Sequence, residues 1–270
     1  MSAGRSVLAN HMHDITSYLA LATQLARDAG RFALNVQKGE LQVTTKSNAF
    51  DLVTDVDKQN EEFIRNAVLA RFPDHAFLGE EGGAHGDAEV KWIVDPIDGT
   101  INFAHGLPIW CVSIGVEIEG KPACGAIYDP NRDELFSAAS GTGAYLNGNR
   151  LTVSDTTEPS RALLVTGFPY NIAENPNKAI EHFDAFLRRG ILVRRLGSAA
   201  LDLAYVAAGR FDGFFEGSLS PWDMAAGAVI LTEAGGKLTQ YEDKPYSIYG
   251  RSVIASNAVL HAYILDVLTD

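Results

Sequence analysis

Residues 92–103 have the sequence Trp92-Ile93-Val94-Asp95-Pro96-Ile97-Asp98-Gly99-Thr100-Ile101-Asn102-Phe103, in which an apolar run is followed by two aspartates and a Gly-Thr turn. The run 91–95 predicts a buried strand. Pro96 lacks the N–H that a strand donates and Gly99 permits a sharp turn, so we expect the strand to end here. The pattern therefore places Asp95 and Asp98 at the end of a strand.

These residue types suit a metal ion and a phosphate group. Carboxylates are hard oxygen ligands of the kind that Mg²⁺ prefers. If a helix opens after the turn, the N–H groups of Gly99, Thr100 and Ile101 would face an anion. A structural alternative stays open from these residues alone, because Asp98-Gly99 is an ordinary turn dipeptide and Asp95 could cap a helix.

Two further segments also place an acid at the edge of an apolar run. They are Phe77-Leu78-Gly79-Glu80-Glu81-Gly82-Gly83 and Pro221-Trp222-Asp223-Met224-Ala225-Ala226-Gly227. Three such segments in one chain favour the metal site over three unrelated turns or caps.

The three segments, in this order and at these separations, resemble the inositol monophosphatase family. The resemblance rests on Gly79-Glu80-Glu81, on the run from Asp95 to Phe103 and on Trp222-Asp223, and it continues through 46–47, 51–57, 197–200 and 214–216. Only the first dozen residues lie outside it. Residues 197–216 most resemble the bacterial branch, some of whose members also act in transcription antitermination. Ile101 stands where threonine is more usual, but its side chain is not an expected ligand.

The resemblance implies two to three Mg²⁺ ions in the site. Glu80, Asp95 and the backbone carbonyl of Ile97 match the ligands of the first ion. Asp95, Asp98 and Asp223 match those of the second, so that Asp95 would bridge the pair. The third ion would rest mainly on water and on Glu80.

A second implied group activates the attacking water. Thr100 and Asp57 match the residues that orient this water and accept its proton. The sequence alone equally allows Asp57 to be a helix-capping acid. No histidine is needed as a general acid, and we interpret His105, which follows the motif closely, as a loop residue.

The resemblance also implies substrate contacts, of which those that select the substrate lie farther from the metals. The matching residues are Asp98, Gly99, Thr100, Gly197, Ser198, Ala199, Glu216 and Asp223. Ala199, through its backbone N–H, and Glu216, through its carboxylate, match positions that hydrogen-bond inositol hydroxyls. Gly197-Ser198 is also expected to start a helix as an N-cap. Lys46 matches a mobile lid, and Glu81 is assigned a supporting role because it would point away from Glu80 on a strand.

Length, composition and charge limit the fold and the classes of function that are possible. A chain of 270 residues with 46% apolar content can bury a large core as one domain or as two closely packed halves. The net charge of −12 argues against a general nucleic-acid-binding surface. Because we find no apolar run of about twenty residues and no N-terminal signal, we expect a soluble, cytoplasmic protein without a membrane partner. Cys111 and Cys124 are expected to be buried thiols.

Hydrophobic spacing predicts the elements. Helical periodicity predicts helices at 15–36 and 55–70, the second with Phe63, Ile64, Ala67 and Val68 facing the core. Strands are predicted at 76–79, 91–95, 110–118, 123–128, 134–138 and 144–146, with hairpin-like turns between several of them. Strands at 162–167, 191–196, 211–216 and 252–255 then alternate with helices at 176–188, 198–208, 222–234 and from about 258.

We therefore expect an α+β half with a largely antiparallel sheet over 1–155 and an α/β half with the substrate-specificity residues over 156–270, forming one compact catalytic unit. The resemblance implies a layered α-β-α-β-α sandwich of the inositol monophosphatase and fructose-1,6-bisphosphatase type, with the site where the halves meet.

The expected function is Mg²⁺-dependent hydrolysis of myo-inositol monophosphate, or of a related small sugar or polyol phosphate, by a metal-activated water. Lithium inhibition and a homodimer are implied by the resemblance. Fructose-1,6-bisphosphate, histidinol phosphate and nucleotide 3′-phosphates are the alternative substrates within the family. The segment 197–223 shows no basic cluster for a second phosphate, although Arg194 and Arg195 precede it, and this favours a monophosphate. An alternative of another class is a bacterial transcription-antitermination partner whose phosphatase activity is incidental.

Overall fold

The computed structural model describes residues 3–39, 43–45 and 52–269, with side chains described for 14–39 and 55–269. The proposed lid residue Lys46 lies outside the described residues. Within them the α-helices are α1 (Ala3–Gln37), α2 (Asp55–Arg71), α3 (Thr100–Ala104), α4 (Ala179–Arg188), α5 (Ala199–Ala207), α6 (Pro221–Glu233) and α7 (His261–Thr269). Short 3-10 turns lie at Pro159–Arg161, Ile172–Glu174, Pro176–Lys178 and Tyr241–Asp243. No helix in the described part of the chain is long and apolar enough to cross a membrane.

The strands form a short ribbon and two larger sheets. In chain order they are β1 (Val43–Thr45), β2 (Leu52–Thr54), β3 (Ala76–Gly79), β4 (Gly83–His85), β5 (Val90–Asp98), β6 (Cys111–Ile118), β7 (Lys121–Asp129), β8 (Glu134–Ala139), β9 (Gly143–Leu146), β10 (Asn149–Arg150), β11 (Leu163–Thr166), β12 (Leu192–Arg195), β13 (Gly213–Gly217), β14 (Lys237–Thr239) and β15 (Ser252–Ser256). Sequence periodicity did not predict β1, β2, β4, β10 or β14, each of two or three residues, because so short a segment carries no readable alternation.

The first sheet has the order β10-β9-β8-β7-β6-β5-β3-β4. Its neighbouring strands are antiparallel except β3 and β5, which run parallel. The second sheet has the order β12-β11-β13-β15-β14 and is mixed, because β11 is parallel to both β12 and β13 while β15 is antiparallel to its neighbours. The largely antiparallel first sheet is as predicted.

The elements stack in five layers. Apolar side chains of α1 and α2 pack on one face of the first sheet, around Trp92 and Phe77. Helices α5 and α6 fill the space between the two sheets, and α4 and α7 cover the outer face of the second sheet around Phe186. The predicted α-β-α-β-α sandwich is confirmed. Both cysteines are buried free thiols, as expected.

Two details of the sequence prediction were wrong. Phe63 is 44% exposed rather than inward-facing, and α2 instead buries Ile64 and Val68. Strand β5 also continues past Pro96 to Asp98. Here Pro96 and Ile97 together lie opposite the single residue Val112, since Asp95 pairs with Ser113 and Asp98 with Cys111. In such a bulge the hydrogen bonds between the two strands are already interrupted, so the missing N–H of proline is tolerated.

Close packing of α6 on the first sheet depends on two glycines. A side-chain carbon added to Gly115 would lie 2.6 Å from Cβ of Ala225, and one added to Gly125 would lie 2.6 Å from Cα of Ala226. Because carbon atoms do not approach so closely, the two glycines permit the short separation between helix and sheet. This separation sets the position of the first turn of α6, which contains Asp223.

We predict that Gly125→Ala lowers the free energy of unfolding by about 1–3 kcal/mol, the usual range for overpacking a close contact. Urea denaturation measures the change. Gly39→Ala is the control, since its added carbon would lie 3.4 Å from the Val36 carbonyl oxygen, an ordinary contact. If Gly125→Ala were as stable as the control, the close packing would not constrain α6.

Candidate active site

A cavity of about 560 Å³ opens between the two sheets. It lies at the carboxyl ends of β5, β11, β12 and β13 and at the first turns of α3, α5 and α6. Its lining includes every predicted metal and substrate residue, namely Glu80, Asp95, Ile97, Asp98, Gly99, Thr100, Gly197, Ser198, Ala199, Glu216 and Asp223. The fold thus brings together residues that are up to 143 positions apart in the sequence (80 to 223).

The parallel pair β3 and β5 brings the first acids to one edge of the sheet. Gly79 pairs with Val94, and the N–H of Glu80 donates to the carbonyl of Val94 at 3.3 Å. Glu80 and Asp95 are therefore the next residues after this pair, side by side on adjacent chain segments. Asp95 also accepts a hydrogen bond on Oδ1 from the N–H of Ile97 at 3.0 Å, which fixes its carboxylate within the bulge.

Gly99 makes the turn that follows. Its φ of 95° lies in the left-handed region, and an added side-chain carbon would lie 3.0 Å from the Ile109 carbonyl oxygen and 3.2 Å from that of Gly197. Both the backbone conformation and the space require glycine. The helix expected after this turn is α3, which starts at Thr100 but is only five residues long. His105 is an exposed residue in the turn that follows α3, in agreement with its interpretation as a loop residue.

Asp98 connects the first sheet to α5. Its Oδ2 accepts hydrogen bonds from the Ser198 hydroxyl at 2.6 Å and the Ala200 N–H at 2.7 Å, and its Oδ1 accepts one from the Ala199 N–H at 3.2 Å. The Ser198 side chain itself makes no N-cap bond. The carboxylate of Asp98 therefore caps α5 from another element, where helix N–H groups favour negative charge. The Ala199 N–H, for which the sequence suggests a substrate hydroxyl, here contacts Asp98.

Asp223 is held by a capping box at the start of α6. Its Oδ2 accepts the N–H of Ser220 at 2.7 Å, while the Ser220 side chain bonds the backbone of Asp223. Pro221 occupies the first turn, where its missing N–H has no helical partner to lose. These features fix the carboxylate toward the cavity.

Three carboxylates converge in the cavity. One oxygen from each of Asp95, Asp98 and Asp223 lies within 4.8 Å of the others; Asp95 and Asp98 are buried, and Asp223 is half-buried. Burial raises the pKa of each, and repulsion from Glu80 raises the pKa of Asp95 further. Such a cluster is costly unless it is protonated or neutralised by a cation. Hard oxygen donors at this spacing fit a divalent ion such as Mg²⁺.

Asp57 adjoins this cluster through Thr100. Asp57 is fully buried in the first turn of α2, and the Thr100 hydroxyl lies 3.2 Å from its Oδ1 and 2.9 Å from the carbonyl oxygen of Ile97. Because a hydroxyl has one proton and both neighbours are acceptors, Thr100 can donate to only one of them at a time. Its oxygen then retains lone pairs that can accept a proton from a third group.

The opposite wall of the cavity comes from the second sheet. Glu216 lies in a buried position where loss of solvation raises its pKa to about 8, although the positive charge of the nearby Arg195 lowers it. Arg195 and Arg251 line the same cavity.

Sequence reasoning missed two buried residues that support the site. The Asn102 side chain donates to the carbonyls of Ile109 at 2.7 Å and Leu196 at 2.9 Å, and so joins the segment after α3 to the turn before α5. Its place within the quoted motif was the available signal. Glu61 accepts the N–H groups of Glu81 at 2.7 Å and Gly82 at 2.6 Å and thereby holds the segment that follows Glu80. Helix α2 gives no sequence signal for this role.

The geometry agrees with comparisons to known proteins. The sequence profile of the inositol monophosphatase family matches residues 14–269. The chain belongs to the inositol monophosphatase family. An inositol-1-monophosphatase of Synechocystis sp. is 41% identical over 257 residues, which cover 94% of this chain and 90% of the relative. The protein named Nus factor SuhB in Salmonella typhimurium is 40% identical over 253 residues, covering 92% and 95%.

A solved structure shares the fold. The extragenic suppressor protein suhB from Bartonella henselae matches with a TM-score of 0.89 at 37% identity, covering 94% of this chain and 99% of that one. The resemblance inferred from the motifs is confirmed, and the protein is a phosphatase. Membership of the inositol monophosphatase family implies use of divalent metal ions, which the carboxylate cluster fits.

Asp202 on α5 is a further buried acid that the sequence did not single out. It is 1% exposed, and neither carboxylate oxygen has a hydrogen-bond partner among the described residues. Burial raises its pKa well above the usual range, and the charges of Glu216 and Asp98 add to this. The folded protein therefore retains a proton on Asp202 that the unfolded chain releases above about pH 4.

Because the native pKa is raised, stability falls as the pH rises from about 4 toward that pKa. We predict that Asp202→Asn removes this loss, so that its free energy of unfolding relative to wild type is at least about 1 kcal/mol more favourable at pH 8 than at pH 5. Denaturation in EDTA at both pH values measures the difference. Asp266→Asn, an exposed change on α7, should show no comparable shift. An equal effect of Asp202→Asn at both pH values would contradict a protonated Asp202.

Proposed function

We propose that the protein hydrolyses phosphorylated polyols such as myo-inositol monophosphate, using Mg²⁺ and a water molecule activated beside the carboxylate cluster. The observation that carries the proposal is the convergence of Asp95, Asp98 and Asp223 within 4.8 Å, next to the Thr100–Asp57 hydrogen bond. One cavity could thereby hold both a phosphate group and the water that attacks it.

Charge explains why a cation is needed for both the protein and the substrate. Bare carboxylates would repel a phosphate monoester as well as one another. The residues that would hold the ions are Glu80, Asp95, the carbonyl of Ile97, Asp98 and Asp223, with two to three ions per site. Bound Mg²⁺ would neutralise the carboxylates, attract the phosphate and lower the pKa of water. Occupation of one of these metal sites by Li⁺ would inhibit the hydrolysis.

The chain supplies the path for the proton. As the attacking water gives a proton to Oγ1 of Thr100, the Thr100 hydroxyl can pass its own proton to Oδ1 of Asp57, 3.2 Å away. The carbonyl of Ile97 competes for the same hydroxyl proton, so the transfer requires Thr100 to donate to Asp57 rather than to that carbonyl. At the far wall, Glu216 would bind a substrate hydroxyl, either as acceptor or, in its protonated form, as donor.

The proton path predicts the effect of Asp57→Asn. We expect kcat to fall by roughly a hundredfold to ten-thousandfold, as for the loss of a general base, with the affinity for Mg²⁺ nearly unchanged. Phosphate release and a metal titration measure the two quantities. Asp55→Asn is the matched control, because Asp55 is exposed in the same first turn of α2. If Asp57→Asn retained activity, Asp57 would be only a helix-capping acid.

Metal dependence and substrate are tested together by phosphate release from myo-inositol 1-phosphate, histidinol phosphate and 3′-phosphoadenosine 5′-phosphate. We expect turnover with Mg²⁺, none in EDTA, and reduced turnover when Li⁺ is added. Fastest turnover of inositol phosphate supports the proposed substrate. Preference for another compound would change the substrate but keep the chemistry, and turnover in EDTA would contradict the metal-dependent reaction.

A second candidate function is binding to a transcription complex, because relatives named Nus factor SuhB are 40% identical to this chain. The Asp57→Asn protein separates the two functions, since Asp57, unlike Asp98, does not hold α5. Full retention of the cellular role by this variant would favour binding. Capture of RNA polymerase by the purified protein would identify the partner directly.

We also propose a homodimer. Ile180 and Leu187 on α4 and Leu192 on the edge strand β12 are exposed apolar side chains, and α4 packs on β12. Burial of such a surface against a second copy would be favourable. Sedimentation equilibrium tests the assembly.

A further inference from the structure

Glu80 lies in a turn at the edge of the first sheet, whereas the other predicted carboxylate ligands lie on β5 or on α6. The turn 80–82 joins β3 to β4, which pair antiparallel with Gly79 opposite Gly83. Strand β4 has three residues and is the last strand of the sheet on this side. Glu80 lines the cavity but lies outside the group of three carboxylates that converge within 4.8 Å. The position of its carboxylate therefore depends on what holds this turn.

Glu61 holds the turn from α2. Its Oε2 accepts the N–H of Glu81 at 2.7 Å, and its Oε1 accepts the N–H of Gly82 at 2.6 Å. The carboxylate also lies against the bare backbone of Gly79, where an added side-chain carbon would collide with Cδ of Glu61. Glu61 is buried, with 3% of its surface exposed. It thus contacts the chain on both sides of Glu80.

The same face of α2 carries the proposed general base. Asp57 and Glu61 are four positions apart, which places both on one side of the helix, about 6 Å apart along its axis. Both are buried, and Asp57 contacts the Thr100 hydroxyl at 3.2 Å. One rigid helix therefore holds the proton acceptor and, through Glu61, the turn that presents Glu80.

A carboxylate suits this contact because each of its two oxygens accepts one N–H. Glutamine has the same shape but only one acceptor oxygen, and aspartate has both oxygens on a side chain that is one methylene shorter. Either change would leave a buried N–H of the turn without its partner. We propose that Glu61 is a positioning residue, which fixes the turn 80–82 to α2 and thereby sets the affinity for the cation that Glu80 would bind.

This inference rests on the proposed metal-dependent function and adds a residue of α2 to it. The test is a double-mutant cycle with Mn²⁺, whose binding is followed by the loss of the electron paramagnetic resonance signal of the free ion. We expect Glu61→Gln to weaken the Mn²⁺ binding that depends on Glu80 by about tenfold or more. In the Glu80→Gln background the same substitution should change Mn²⁺ affinity less than about twofold, because its effect passes through Glu80. Equal losses in both backgrounds would overturn the positioning role.

Two further variants separate position from charge. Glu62→Gln removes the same charge from the adjacent, exposed position of α2 and should leave Mn²⁺ affinity unchanged. Glu61→Asp keeps the charge but shortens the side chain, and it should weaken Mn²⁺ binding as Glu61→Gln does. If Glu61→Asp bound Mn²⁺ as wild type does, charge rather than position would explain the loss, and the proposal would be wrong. Glu61→Asp also replaces Glu61→Gln in the cycle if the latter does not fold.

Phosphate release at increasing Mg²⁺ concentration gives a second readout. Higher Mg²⁺ should restore hydrolysis to Glu61→Gln, whose defect is in cation affinity, but not to Asp57→Asn, whose defect is in proton transfer. A lowered maximal rate in Glu61→Gln that no Mg²⁺ concentration restores would contradict a role through cation affinity.

The binding data also distinguish this proposal from the phosphatase function. Weaker Mn²⁺ binding by Glu61→Gln, together with no hydrolysis by wild type, supports the positioning role, and only the proposed function fails. Hydrolysis by wild type, together with equal Mn²⁺ binding by Glu61→Gln, leaves the phosphatase standing and refutes the positioning role. Absence of Mn²⁺ binding by wild type would overturn both.

Discussion

The hydrogen bonds between Asp98 and the start of α5 are the interaction on which the rest of the site depends. Asp98 ends β5 in the first sheet, and Ser198, Ala199 and Ala200 lie just after the last strand residue of β12 in the second sheet. One carboxylate therefore satisfies the first N–H groups of a buried helix and joins the two sheets. Helix α5 packs in turn on α6, which carries Asp223. A displacement of Asp98 would therefore also shift α5, α6 and the cavity residues that these helices carry.

The clustered acids lower the stability of the fold but provide the binding site for a cation. A carboxylate that only capped a helix would be favourable in its ionised form, but burial near Asp95 and Asp223 raises the pKa of Asp98 despite its four donors, which include the more distant Cys111 thiol at 3.7 Å. Repulsion from Asp98 and Glu80 also raises the pKa of Asp95 and of Asp223, so the acids destabilise one another in the absence of a cation. Binding of a divalent ion to the native state alone would stabilise the fold by mass action. The same charge that opposes folding would provide the affinity for metal.

Much of this fold was predictable because long, periodic elements dominate it. Helix α2 and the strands from β6 to β8 lie close to their predicted bounds, and α1 ends as predicted but begins at Ala3 rather than at residue 15. What failed has local physical causes. Pro96 did not end β5, because a bulge removes the need for its N–H, and the strands of two or three residues are too short to show alternation. Phe63 is exposed because helical spacing gives a face but not how much of that face the neighbouring layer covers.

The candidate site divides in the same way. Its acidic residues lie in contiguous motifs, so the sequence alone is enough to single them out as candidates. Arg251 could not be found in this manner, because it is separated by 56 positions from Arg195 (251 − 195) and lies outside every motif. Only the pairing of β13 with β15 brings its segment to the wall that Glu216 forms. Asp202 was likewise hidden, because one acid on a helix predicts a solvated face unless the packing on every side is known.

The separation of the two walls has a consequence for how such a site can change. The carboxylates belong to the end of the first sheet and to α6, where Gly115, Gly125 and the bonds to α5 fix their positions. The arginines and Glu216 belong to the second sheet and to exposed segments at its edge. A substitution at Arg195 or Arg251 changes no residue of the carboxylate cluster or of the Thr100–Asp57 pair. Because the two walls rest on different elements, the second-sheet wall can vary in sequence while the carboxylate cluster stays the same.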